Sequence, residues 1–233
     1  MREELDINRE RQQVHSESQE ETKRQEVSER QEELKHQEAA EHQEEMKYQE
    51  IAEIQTQIEE SLLELPIVQY AWISEEEIPF SERVRSICKE ECPRYGTSWS
   101  CPPGVGSVEQ CRQRCGQFLN AFLFTTIAEV NDTDNMEETL ATRPAHEAVT
   151  KEVQKILEIH FGETLALSAQ SCAICRACAY PEEPCRYPDK MLPCIEGYGI
   201  VVPPLAEKAG IEFVNGAGIV TWFGMILFSK ITR

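Results

Sequence analysis

From Ser18 to Glu53 the chain steps through six polar hexapeptides, SQEETK, RQEVSE, RQEELK, HQEAAE, HQEEMK and YQEIAE. An α-helix turns about 100° per residue, so a six-residue step advances about 600° and spreads each repeat position over several faces. No continuous apolar stripe forms. The residues are nevertheless strong helix formers, and Glu26 stands four residues before Arg30, the favourable order of acid ahead of base, as Glu32 does before His36 when that histidine is protonated. The pattern predicts a long, solvated N-terminal helix. Toward its end Ile51, Ile54, Ile58, Leu62 and Leu65 fall at steps of three and four on one face. That face can dock on the following domain or pair weakly with a second copy. A lasting coiled coil needs roughly three to four clean heptads, which this segment lacks. Pro66 stops the helix.

Beyond Pro66 the hydrophobic periods change. NAFLFTTIAEV, from Asn120, reads as a buried strand, PAHEAVTKEVQKILEIH, from Pro144, as an amphipathic helix, and TLALSAQ, from Thr164, as a second strand delivering Cys172. PPLAEKAG reads as a short helix with Gly210 near its end, and GIEFVNGAGIVTWFGMILF as a hairpin turning at Asn215 and Gly216. The fold expected is α+β: an acidic helical or low-complexity extension over 1–65, then a single cysteine-rich mixed α/β domain over 66–233.

Composition sharpens this division. Residues 1–65 contain no Gly, Pro or Cys, whereas 66–233 hold all 11 Gly, 12 Pro and 10 Cys. The first segment carries 20 acidic and 8 basic side chains, so it supplies −12 of the net charge of −19. Such acidity repels nucleic acid and anionic membrane surfaces at long range, and neither is expected as a partner. MREELDINRE has no apolar core of a signal peptide, and the longest apolar stretch, GAGIVTWFGMILF, is shorter than the roughly 18 residues that span a bilayer. A cytoplasmic protein is the expectation. Cysteines in a reducing compartment point to metal ligation or redox chemistry rather than disulfides.

Two cysteine motifs carry that chemistry. Cys88, Cys92, Cys101 and Cys111 follow a C-x3-C-x8-C-x9-C order, and Cys172, Cys175, Cys178 and Cys185 a C-x2-C-x2-C-x6-C order. Three thiolates at successive three-residue steps wrap a corner of a cubane and a more distant fourth closes it, as in ferredoxin-type [4Fe–4S] sites. Four thiolates also satisfy zinc, the alternative metal. The first motif fits either a second cluster or zinc, and its ligands are not fixed by spacing. Cys115 lies one helical turn from Cys111 and competes with it, and Cys101, followed by Pro, can cross to the other cluster. Cys194 is a spare thiol, either an apolar filler or an alternate ligand.

The domain resembles an uncharacterised family of predicted metal-binding proteins from bacteria and archaea. The resemblance rests on VRSICKEECPRYGTSWSCPP, EQCRQRCGQFLNAFLFTT, LALSAQSCAICRACAYPEEPCRYPDK and LPCIEGYGIVV. It implies metal binding by Cys88, Cys92, Cys101 and Cys111 as one set and Cys172, Cys175, Cys178 and Cys185 as the other. It names no reaction. Where that family usually reads Pro-Ser-Met-Glu-Ala, this chain has Pro193, Cys194, Ile195, Glu196 and Gly197, so a thiol replaces a hydroxyl.

The remaining candidates weigh little. Gly216 and Gly218 lack the third glycine and following helix of a dinucleotide site. His36 and His42 are six residues apart and so on different faces, and His160 suits a helix C-terminus. Arg94, Arg176, Arg186 and Lys190 flank the cysteines, where cations would stabilise the reduced form of a cluster. Tyr95, Trp99, Tyr180 and Tyr187 interleave with them and could wall off water. The function expected is intracellular redox or electron transfer through two [4Fe–4S] clusters, with a redox partner protein. The alternatives are a zinc-stabilised binding module and an enzyme using an open cluster site, for which no catalytic residue is named.

Overall fold

The computed structural model describes residues 42, 43, 46 and 49–229. The chain divides into two compact units, Met1–Thr56 and Gln57–Arg233. In the first, the described residues are helical. Most of the hexapeptide helix expected over 1–65 lies outside the described residues. Helix α1 (residues 49–62) ends three residues before the last of its apolar positions, Leu65, and four before Pro66. Within the second unit it buries Ile58 and Leu62, two of the five residues of the apolar face, and Glu59 Oε1 accepts the Trp72 indole N–H at 2.8 Å.

The second unit is α+β. Its sheet has four antiparallel strands in the order β1-β2-β4-β3: β1 (Gln69–Ser74), β2 (Asn120–Glu129), β3 (Thr164–Leu167) and β4 (Ile219–Phe228). β2 is buried without interruption from Ala121 to Thr126, because it is central and covered on both faces. Side chains alternate between those faces. Ala121, Leu123, Phe223, Met225 and Leu227 join one core with α5 (Val202–Lys208), the turn at Glu196–Tyr198, and Cys111 and Cys115 of α3 (Val108–Cys115). On the other face Trp72, Phe122 and Phe228 form an aromatic group that includes Phe161 of α4 (Met136–Phe161). Gly224 is required where β4 crosses β2, since a Cβ there would enter the Phe124 ring.

Two expectations need correction. The helix expected from Pro144 begins at Met136, where the Asn135 side chain accepts the Glu138 N–H at 3.2 Å, so Pro144 sits inside the helix. Its two opening turns are mostly polar, with Met136, Leu140 and Ala141 as their apolar residues, and the Asn135 cap starts the helix ahead of the main hydrophobic period. The hairpin at Asn215 and Gly216 does not form. Only Ile219–Phe228 is a strand, and it pairs with β2 and β3. Positive φ at Gly216 and Gly218 breaks the extended backbone, and Asn215 Nδ2 donates to Thr221 Oγ1 instead of serving a ladder turn. β1, unrecognised in the sequence, is an edge strand of six residues.

Candidate metal centre

The cysteines lie on α2 (Glu82–Glu91) and its C-cap, in the loop from α2 to α3, on α3, and in the segment between β3 and α5. After β3, Ser168 N–H donates to Pro193 O at 2.9 Å and Ile195 N–H to Ser168 O at 2.9 Å, so residues 193–195 run alongside the strand's end. The same segment reaches the first motif, where Cys194 N–H donates to Ser100 O at 2.9 Å. With Cys172 N–H on Ser100 Oγ at 2.7 Å, both Cys194 and the second motif are tied to the short stretch Ser98–Cys101.

Cys172, Cys175, Cys178 and Cys185 all line one cavity of about 410 Å³, together with Arg94, Ser98, Trp99, Arg176, Tyr180 and Tyr187. Exposed Arg94, Thr97 and Arg176 stand at its rim. Trp99 and Tyr180 pack edge to face at 4.8 Å, and the Trp99 indole donates to Glu183 O at 2.9 Å, which fixes one wall. Arg186 and Lys190 do not line the cavity: Arg186 donates to Ala177 O at 3.0 Å, and Lys190 sits over the Tyr187 ring at 6.0 Å. Burial opposes ionisation of Cys178, but backbone N–H groups of Tyr180, Trp99 and Ala179 and the Ser98 hydroxyl hold its thiol below the ordinary range. For Cys172 burial dominates and pushes the thiol up, against the Ile174 N–H that its sulfur accepts at 3.5 Å.

The first motif does not converge on one place. Cys88 lies on α2 and Cys92 caps it, one turn apart, with Cys92 N–H on Cys88 O at 3.3 Å. Burial, with the neighbouring Cys92, Glu196 and Cys101, raises the Cys88 thiol to about 11. Cys101 and Cys194 are both buried, and their mutual influence holds the Cys101 thiol below the ordinary range and pushes the Cys194 thiol above it. The Cys194 sulfur lies 3.1 Å from Glu196 Oε2 and accepts Gly197 N–H at 3.3 Å. A Cβ at position 197 would stand 3.0 Å from that of Cys194 and 3.3 Å from Pro102, so glycine lets the turn close on the thiol.

Cys111 lies elsewhere. Its sulfur is within 3.3 Å of Arg114 Nη2, 3.7 Å of Arg85 Nη2 and 3.5 Å of Val105 O, and it joins the apolar core beside Cys115. Burial raises Cys111, an effect the two guanidinium groups oppose, and it takes Cys115 to about 12. Among the described residues no group of three or more His, Cys, Asp or Glu side chains already stands in the geometry of a metal ion.

Between the two groups lies a buried polar seam that the sequence did not disclose. Ser98 and Ser100 hydroxyls are 2.9 Å apart, Ser100 Oγ accepts Cys172 N–H at 2.7 Å, and it lies 4.0 Å from the Cys101 sulfur. Arg143, 7% exposed, reaches Ser171 Oγ at 3.4 Å and lies 3.9 Å from Glu147, which accepts Ala173 N–H at 3.0 Å. Burial disfavours the Arg143 charge, while Glu147, Cys172 and Cys101 favour it. One available signal was a basic and an acidic residue four apart on the otherwise core-facing side of α4, in line with Thr150 and Leu157.

No described helix is long and apolar enough to cross a membrane. No curated protein and no solved structure matches the chain. A family model described as predicted metal-binding protein (DUF2284) matches residues 71–228, which include all ten cysteines and the whole sheet save the first two residues of β1. The chain belongs to that family of predicted metal-binding proteins.

Proposed function

We propose that the chain is an iron–sulfur protein that serves one-electron redox chemistry with a partner protein, and that Cys172, Cys175, Cys178 and Cys185 hold a [4Fe–4S] cluster. The observation that carries this reading is the single cavity of about 410 Å³ that these four thiols line. A lone ion needs four donors converging on a point. Thiols spread around a volume suit a group whose metal atoms are themselves distributed in space. The donor set fits in kind as well, since soft thiolates are the ligands such a cluster takes. When bound, the cluster would supply a site that stores and releases one electron.

The chain's own residues prepare the cavity. N–H groups and the Ser98 hydroxyl directed at Cys178 stabilise its thiolate. Trp99 and Tyr180 form an apolar wall that limits water. Arg94 and Arg176 at the lining, with Arg143 behind it, place positive charge where added electrons would sit, which favours the reduced form.

Anaerobic purification tests the reading. The expected protein is brown, absorbs broadly near roughly 400 nm, and contains iron and acid-labile sulfide in equal amounts, about four of each per occupied site. A colourless protein holding zinc without sulfide would establish the zinc-stabilised binding module instead.

A further inference from the structure

Position 194 lies 83 to 106 residues from the cysteines of the first motif, yet its backbone N–H donates to Ser100 O at 2.9 Å, next to Cys101. We propose that the first metal site is built from Cys88, Cys92, Cys101 and Cys194, and that Cys111 is a structural thiol outside it. The proposal rests on the metal-binding reading above and assigns the ligands of its second site.

Three observations carry it. Cys88 on α2 and Cys92 at its C-cap stand one turn apart, and α2 packs against the Glu196–Tyr198 turn next to Cys194. Cys194 is held against Cys101 from three sides: by its N–H on Ser100 O at 2.9 Å, by its bridge to Ser168, and by the Gly197 turn that closes over its sulfur. Cys111, by contrast, faces the apolar core, with two guanidinium nitrogens within 4 Å of its sulfur, at 3.3 Å and 3.7 Å. A metal cation brought to that sulfur would meet two fixed positive charges at close range in a poorly screened interior.

The arrangement also explains a local peculiarity of sequence. Glu196 Oε2 accepts a hydrogen bond from the Cys194 thiol at 3.1 Å. On metal binding that proton must leave, because the thiolate is the ligand. The site is then all-sulfur and takes a thiophilic occupant, a cluster or zinc. The two are told apart by sulfide.

The test uses the full chain, purified anaerobically, as the parent and as the variants Cys194→Ala, Cys111→Ala and Cys172→Ala, with iron, zinc and sulfide measured per chain. Alanine keeps Cβ and removes only the sulfur. Cys194→Ala should lose the metal of one site, Cys111→Ala should match the parent, and Cys172→Ala should lose the metal of the other site. Loss in Cys111→Ala with retention in Cys194→Ala overturns the assignment, as does retention in both. A parent without metal overturns the metal-binding reading, and the assignment with it.

Because a variant can fail to fold, a second measurement uses the unmodified chain. Thiol alkylation is mapped by mass spectrometry before and after a chelator strips the metal. Cys88, Cys92, Cys101 and Cys194 should gain reactivity together, with Cys111 unchanged. Joint unmasking of Cys111 with Cys88 and Cys92, and not Cys194, contradicts the proposal.

Discussion

Among the described residues, Arg143 is a buried cation whose charge is favoured by a cysteine from each motif, Cys101 and Cys172. It sits in a seam of Ser98, Ser100, Ser171 and Glu147 that joins the two groups through hydrogen bonds rather than through apolar packing. A buried charge in such a place is expensive to strand, and breaking a buried pair by removing one partner typically costs about 3–5 kcal/mol. Arg143→Met should therefore destabilise the protein by about 3 kcal/mol, because Glu147 loses its partner. The double variant Arg143→Met, Glu147→Leu should recover part of that loss. Urea denaturation decides it, and a double variant no more stable than the single one would show that Arg143 acts through something other than the pair. Apart from the spacing of Arg143 and Glu147 on α4, this seam left no signal in the sequence. Serine and threonine are ordinary in loops, and only the three-dimensional approach of residues 98–101 to 171–173 turns them into a connected set.

At the scale of elements, the pairing of α4 with the sheet depends on a histidine. His146 is 2% exposed, its Nε2–H donates to Phe223 O at 3.0 Å, and its Nδ1 lies 2.8 Å from the Thr126 hydroxyl. Burial lowers its pKa from the ordinary 6.5 to about 4. Below pH 6.5 the unfolded chain binds a proton that the folded one refuses, so stability is full above that pH and falls as pH drops toward 4. The shift corresponds to about 3 kcal/mol at its limit. Urea melts at pH 7 and pH 4.5 should show a larger loss in the parent than in His146→Gln; equal losses would remove His146 from the account. Elements with a plain hydrophobic period were legible from sequence: β2, β3, the α5 helix and the C-terminal part of α4. Those without one were not. β1 is a short edge strand, the first turns of α4 are mostly polar and rely on Asn135, and the apolar residues around Asn215 suggested a hairpin where glycine conformations instead set an irregular loop.

Across the whole molecule, the two cysteine motifs differ in how far their arrangement follows from spacing. Cys172, Cys175, Cys178 and Cys185 span fourteen positions, so the local chain path alone brings them around one cavity. The first motif could not be resolved in this way. Cys111 is close in sequence but turned into the core by α3, whereas Cys194 is distant in sequence and delivered by the segment paired with the end of β3. Long-range delivery of this kind leaves no periodic signal. The acidic hexapeptides, which supply −7 of the net charge of −19, lie mostly outside the described residues.

The central claim is that the cavity bounded by Cys172, Cys175, Cys178 and Cys185 holds an iron–sulfur cluster. Crystals grown anaerobically, with diffraction recorded on either side of the iron absorption edge, test it most directly. The account predicts anomalous density for several iron atoms within that cavity, in contact with all four sulfurs. A single peak there that appears only at the zinc edge, or iron density elsewhere with this cavity filled by water, would contradict it.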